Sequence, residues 1–125
     1  MANPTPPEGV AFHRYGIQAS GSSANMKSLP AIIEELKHSD TIVDIMKIDV
    51  EGAEFAVFAD AATQAALKKH VRQVLLEVHY KTEAGTVALA QQLTNTGFYT
   101  FSKEPNIQWS SGDCVEFSLL NVHLV

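Results

Sequence analysis

The sequence predicts an α/β fold, a mostly parallel sheet that closes with an antiparallel hairpin at its C-terminal end. Three observations carry this. Two nearly continuous apolar runs, Thr41 to Val50 and Val71 to Tyr80, suit strands of a parallel sheet. Segments with helical apolar spacing separate the strand runs. The last two runs, FYTFSKE from Phe98 and VEFSLLNVHLV from Val115, have only a loop between them and so should pair antiparallel. The resulting order is β-α-β-α-β-α-β-β, with right-handed crossovers.

Residues 1–9 hold three of the five prolines and read as a flexible leader, followed by one domain over residues 10–125. Val10 to Gln18 alternates and is rich in aromatic and β-branched residues, the pattern of a strand. The run ASGSSANMK is a loop. Ser28 is placed to cap a helix with Pro30 in its first turn, and Leu29, Ile32, Ile33 and Leu36 form the apolar stripe. The strand Thr41 to Val50 reads as buried on both faces. The next twenty residues are helix formers. Phe55, Phe58, Ala59 and Ala62 share a face, Asp60 is a break point, and Lys68, Lys69 and His70 suit the C-terminal dipole end. After the strand Val71 to Tyr80, Thr82 caps a helix striped by Thr86, Leu89, Ala90 and Leu93, which Gly97 ends.

Composition narrows the function. The chain has 125 residues, 46% hydrophobic and 18% charged, with a formal charge of −5. A folded chain is expected. No cluster of lysine or arginine appears, so nucleic acid is not expected as a direct partner. The single cysteine, Cys114, excludes an internal disulfide and a cysteine zinc site. No run approaches the ~18 apolar residues of a membrane span. The first nine residues lack the charged and apolar regions of a secretory signal, which makes the cytoplasm the default expectation.

In open α/β sheets ligands bind beyond the carboxyl ends of strands. One strand ends Lys47-Ile48-Asp49-Val50-Glu51-Gly52-Ala53-Glu54 and the next ends Glu77-Val78-His79-Tyr80. A crossover between neighbouring strands would bring Asp49, Glu77 and His79 to one rim. A carboxylate at the end of an apolar strand is costly without a partner, which makes Asp49 a candidate for function. Imidazole exchanges protons near neutrality, so His79 reads either as a general base or as a hydrogen-bonded strand end. Glu51 and Glu54 fall where a helix dipole and a capping box favour acids, and a structural role suffices for both. Lys47 is placed to pair with a neighbouring carboxylate. Asp49, Glu51, Glu77 and His79 are also donors that suit a divalent cation, but no spaced motif supports one and no metal is expected. His13, His38, His70 and His123 have no clustered partners by spacing, and Trp109 and Cys114 read as packing or loop anchors.

The run Ile42-Val43-Asp44-Ile45-Met46-Lys47-Ile48-Asp49-Val50-Glu51-Gly52-Ala53-Glu54-Phe55 resembles the FkbM-like methyltransferases that use S-adenosylmethionine. That family shows a Ser-Leu helix start, here Ser28-Leu29, and a strand ending K-I-D-[VI]-E-G-x-E. An L-E-x-H strand follows, here Leu76 to His79, and then a Gly-Phe step at Gly97-Phe98. The end is similar to the family's E-P-N and C-x-E-[FY]-S segments, here Glu104 to Asn106 and Cys114 to Ser118. The resemblance implies a partial Rossmann-like methyltransferase sheet and methyl transfer from S-adenosylmethionine to an oxygen or nitrogen of an unknown acceptor, such as a small molecule. It implies catalytic roles for Asp49 and His79, donor binding by Asp49 and Glu51, and acceptor binding by Glu77, Glu104 and Asn106.

The glycine-rich loop and ribose-binding acid of such enzymes have no counterpart here, since Gly9, Gly16 and Gly21 do not make that loop. The chain looks like a methyltransferase sheet without its first β-α-β. Donor binding weaker than ~1 mM is therefore expected. The strand Ile42 to Val50 should present a bare edge at which copies associate. The alternative reading is an inactive methyltransferase remnant that binds itself or a partner.

Overall fold

Helices cover one face of a four-stranded sheet in the computed structural model, which describes residues 5–108 and 112–125. The elements in order are β1 (Gly16–Ile17), β2 (Met26–Lys27), α1 (Leu29–Glu35), β3 (Val43–Ile48), α2 (Glu54–Ala59), α3 (Ala61–His70), β4 (Val71–His79), α4 (Glu83–Thr96), β5 (Phe98–Pro105) and β6 (Cys114–Asn121). The sheet order is β3-β4-β6-β5. β3 and β4 are parallel, with Ile48 beside Leu76. β6 lies antiparallel between β4 and β5. The fold class is thus the expected one, a mixed α/β sheet with parallel strands and a C-terminal antiparallel hairpin.

Alternation along the strands divides the sheet into two faces. Ile48, Val74, Leu76, Val78 and Leu119 point to the helices and join Val57, Phe58, Leu67, Leu89 and Leu93 in one core. Each such side chain, fully buried, stabilises by ~1.5–3 kcal/mol, more than a helix cap contributes. The caps then fix where helices begin. Asp60 accepts a hydrogen bond from Thr63 N at 2.8 Å and divides α2 from α3 as expected. Thr82 accepts from Gly85 N at the start of α4, and Gly97 ends that helix at φ 101°. Asn121, fully buried, donates to the carbonyls of Lys68 and Val71 and ties β6 to the end of α3. An apolar cavity of about 130 Å³ lies between α4 and the β5–β6 hairpin, lined by Leu89, Leu93, Phe98 and Phe117.

Three expectations are corrected. Of the strand expected over Val10 to Gln18, only Gly16–Ile17 forms. It pairs with Met26–Lys27 in a separate two-stranded sheet, so residues 10–17 are no part of the main sheet. Alternation alone does not make a strand without a ladder to join. Val10 and Phe12 are more than half exposed. The Thr41 to Val50 run is β-structure over Val43–Ile48, but it forms an edge of the sheet rather than a strand buried on both faces. Ile45 is 58% exposed and only Ile48 is buried. Ser28 sits at the N-cap of α1, yet its side chain makes no capping bond. Trp109, read as a loop anchor, and residues 1–4 of the leader lie outside the described residues. Among the described residues no helix is long and apolar enough to cross a membrane.

Candidate active site

Parallel pairing of β3 and β4 brings their carboxyl ends to one edge of the sheet, where Asp49 follows the Ile48–Leu76 pair on β3 and Glu77 to His79 follow it on β4. The chain leaving β3 turns through two left-handed residues, Glu51 at φ 52° and Gly52 at φ 96°. The left-handed region is uncommon for a side-chain-bearing residue such as Glu51, and it concentrates at functional turns. The Gly52 position admits no Cβ without movement, because that atom would lie 2.5 Å from Cε of Lys81. Lys81 Nζ donates to Gly52 O at 3.0 Å and holds the turn from the far side.

Glu54 opens α2 and is fully buried. A carboxylate without water must find donors, and this one has two backbone N–H groups and an imidazole nitrogen around it. Its Oε2 accepts from Gly52 N at 2.7 Å. Its Oε1 accepts from His79 N at 2.7 Å and lies 3.2 Å from His79 Nδ1. Glu54 thus links the turn after β3 to the end of β4. The acid expected to complete a capping box with Glu51 instead bonds the turn and the histidine.

The other ring nitrogen of His79 faces three more carboxylates. Nε2 lies 3.4 Å from Glu51, 3.6 Å from Asp49 and 3.7 Å from Glu77. The His79 side chain is 16% exposed, Glu77 nearly buried, Asp49 half-exposed and Glu51 open to solvent. Asn106 Nδ2 donates to Glu77 Oε1 at 3.4 Å. Cys114, opposite His79 in the β4–β6 register, brings its Sγ within 4.8 Å of the Glu77 and His79 donor atoms. Asp49, Glu51 and His79 form a second such group. Either set has the donor types of a cation site. Among the described residues no lysine or arginine ion-pairs with Asp49, Glu51, Glu54 or Glu77, and Lys81 at the same turn bonds the Gly52 carbonyl instead.

Further charge of the same sign crosses the sheet. Glu77, Glu116 and Glu104 stand in register on β4, β6 and β5, and successive pairs share a face. Lys47 reaches Glu116 only loosely, at 3.9 Å with both groups exposed.

A family model described as "Methyltransferase domain" matches residues 9–121. The chain belongs to this methyltransferase domain family. No curated protein and no solved structure matches it significantly.

In this methyltransferase domain, Asp49, Glu77 and His79 come together at one end of the sheet, as their positions at strand ends implied, and Glu51, expected in a helical turn with a structural role, joins them from the left-handed turn after β3. Asn106 joins them through Glu77. Glu104 stays apart, two strands from Glu77 on the exposed β5, where it lines an open groove with Asn106, Ile107, Gln108 and Glu116. Sequence reasoning missed the link from Glu54 to His79. The signal was present in two apolar strands each followed by acids, but only the β3–β4 register shows that α2 begins against the end of β4. It also missed Glu116, whose place in the acidic row depends on β6 lying between β4 and β5.

Proposed function

We propose that this chain catalyses methyl transfer from S-adenosylmethionine to an oxygen or nitrogen acceptor, in the manner of FkbM-like methyltransferases. The observation that carries this reading is His79 on the rim, with Nδ1 on a buried carboxylate and Nε2 facing Asp49, Glu51 and Glu77. The donor's sulfonium and ammonium are cations, and a rim of acceptor-only carboxylates without a paired lysine or arginine fits them. The fit covers that end of the donor. For its adenosine, the described residues offer no glycine-rich turn following a strand of the main sheet.

Asp49 and Glu51 would hold the cationic end of the donor. When bound, the donor supplies an electrophilic methyl group. The chain's part is to position the acceptor and remove its proton. His79 accepts the proton of the attacking hydroxyl or amine at Nε2. Glu77 orients the acceptor by accepting a hydrogen bond from it, with Asn106 fixing the Glu77 carboxylate. Glu104, on the open groove, would contact a more distant part of the acceptor.

The test is label transfer from methyl-labelled S-adenosylmethionine, at millimolar donor, to a panel of hydroxyl and amine acceptors. Turnover by the wild-type chain should fall ~10²–10⁴-fold in His79→Ala, the range for loss of a general base. Asp49→Asn should raise the donor KM more than it lowers kcat. Equal turnover in wild type and both variants would remove the two residues from the mechanism.

A further inference from the structure

We infer that Glu54 is the positioning residue of this site: it holds His79 as the Nδ1–H tautomer and leaves the Nε2 lone pair turned to the rim. The inference rests on the reading of His79 as base only for its consequence, because the tautomer itself follows from contacts. A neutral imidazole carries one proton, and the neighbour of each nitrogen decides where it sits. Nδ1 meets Glu54 Oε1 at 3.2 Å, and Glu54 is fully buried. Both Glu54 oxygens already accept backbone N–H bonds, from Gly52 and from His79 itself. A lone pair on Nδ1 would face an acceptor oxygen with no water to intervene, so the hydrogen in this contact belongs to the ring.

Nε2 also faces carboxylates, but the competition there is weaker. The contacts with Glu51, Asp49 and Glu77 are all longer, at 3.4–3.7 Å. Glu51 and Asp49 are open to water, which screens them, and Glu77 is shared with Asn106. The short buried contact decides the tautomer. The same Oε1 also takes the His79 backbone N–H, so one oxygen fixes both the height of the residue in the strand and the rotation of its ring. Glu54 touches no reacting atom in this arrangement. It acts through His79.

Long-range proton–nitrogen correlation on the chain with ¹⁵N-labelled histidine reads the tautomer directly, without substrate. At a pH where the ring is neutral, His79 should show a pyrrole-type Nδ1 and a pyridine-type Nε2. Glu54→Gln keeps the volume but has one acceptor oxygen for three N–H groups. It should lower the ratio of Nδ1–H to Nε2–H forms about tenfold or more, the worth of a hydrogen bond to a charged acceptor. A pyridine-type Nδ1 in the wild type would overturn the inference. So would an unchanged ratio in a folded Glu54→Gln variant. If that variant does not fold, the wild-type spectrum decides alone. The two readings fail separately: a wrong tautomer with methyl transfer intact rejects the role of Glu54. The right tautomer with an active His79→Ala rejects His79 as base and leaves Glu54 as its anchor.

Discussion

Glu54 commits both oxygens to backbone N–H groups at a site with no solvent access, so its removal strands two donors as well as the ring. Each stranded buried donor costs about 1–3 kcal/mol. Glu54→Ala should therefore lower the denaturation midpoint by several times as much as Glu51→Ala, whose side chain is 87% exposed and whose loss costs at most ~0.5 kcal/mol. Denaturant titration with m unchanged checks this, and equal midpoints would mean that water takes over the Glu54 contacts. The sequence contained half of this result. Asp49 and His79 were legible as strand-end residues because a carboxylate or imidazole after an apolar run needs a reason to be there. Glu54 was not, because an acid in the first helical turn already has a sufficient local explanation in the helix dipole. Its real partner is 25 residues away, and local pattern does not reach that far.

At the scale of elements, the boundaries set by local chemistry were legible and those set by pairing were not. The Asp60 cap, the Thr82 cap and the Gly97 stop came from side-chain and backbone preferences within a few residues. The fate of Val10 to Gln18 depended on a neighbouring strand, and the place of β6 depended on the sheet order. That order creates the like-charge row Glu77, Glu116 and Glu104. Glu116 is central, with a carboxylate on each side and, among the described residues, one loose cation, Lys47, at 3.9 Å. Opposed like charges destabilise by ~0.2–1 kcal/mol per pair, and an exposed ion pair is worth no more than one of them. Two repulsions outweigh one weak attraction, so Glu116→Gln should raise the melting temperature slightly at low salt. The gain should shrink as salt screens the row. A fall in melting temperature would show that the Lys47 contact dominates.

For the whole molecule, the edge position of β3 has a consequence for association. An edge strand with one side open among the described residues, an exposed Ile45 and an exposed Ile42 just before it, invites pairing with another chain. Concentration-dependent self-association is expected in light scattering, and Ile45→Lys should reduce it by placing a charge on that edge. The same mass in both chains at all concentrations would mean that β3 is not the contact. The fold class and the meeting of two strand ends were legible from the sequence because alternating apolar runs and helix stripes restrict the topology to a few arrangements. The charge of the rim emerges only when four carboxylates are gathered around one imidazole. The proposed function has this rim receive the positive end of S-adenosylmethionine. Its most direct test is a titration of the ¹⁵N-labelled chain with S-adenosylmethionine into the millimolar range, following backbone amides. Fast-exchange shifts centred on Asp49, Glu51, Gly52 and His79 are expected, with a dissociation constant of ~1 mM or weaker, and their loss in Asp49→Asn. Shifts confined to the apolar cavity beside Leu89, Leu93 and Phe98, or none at the rim, would contradict it.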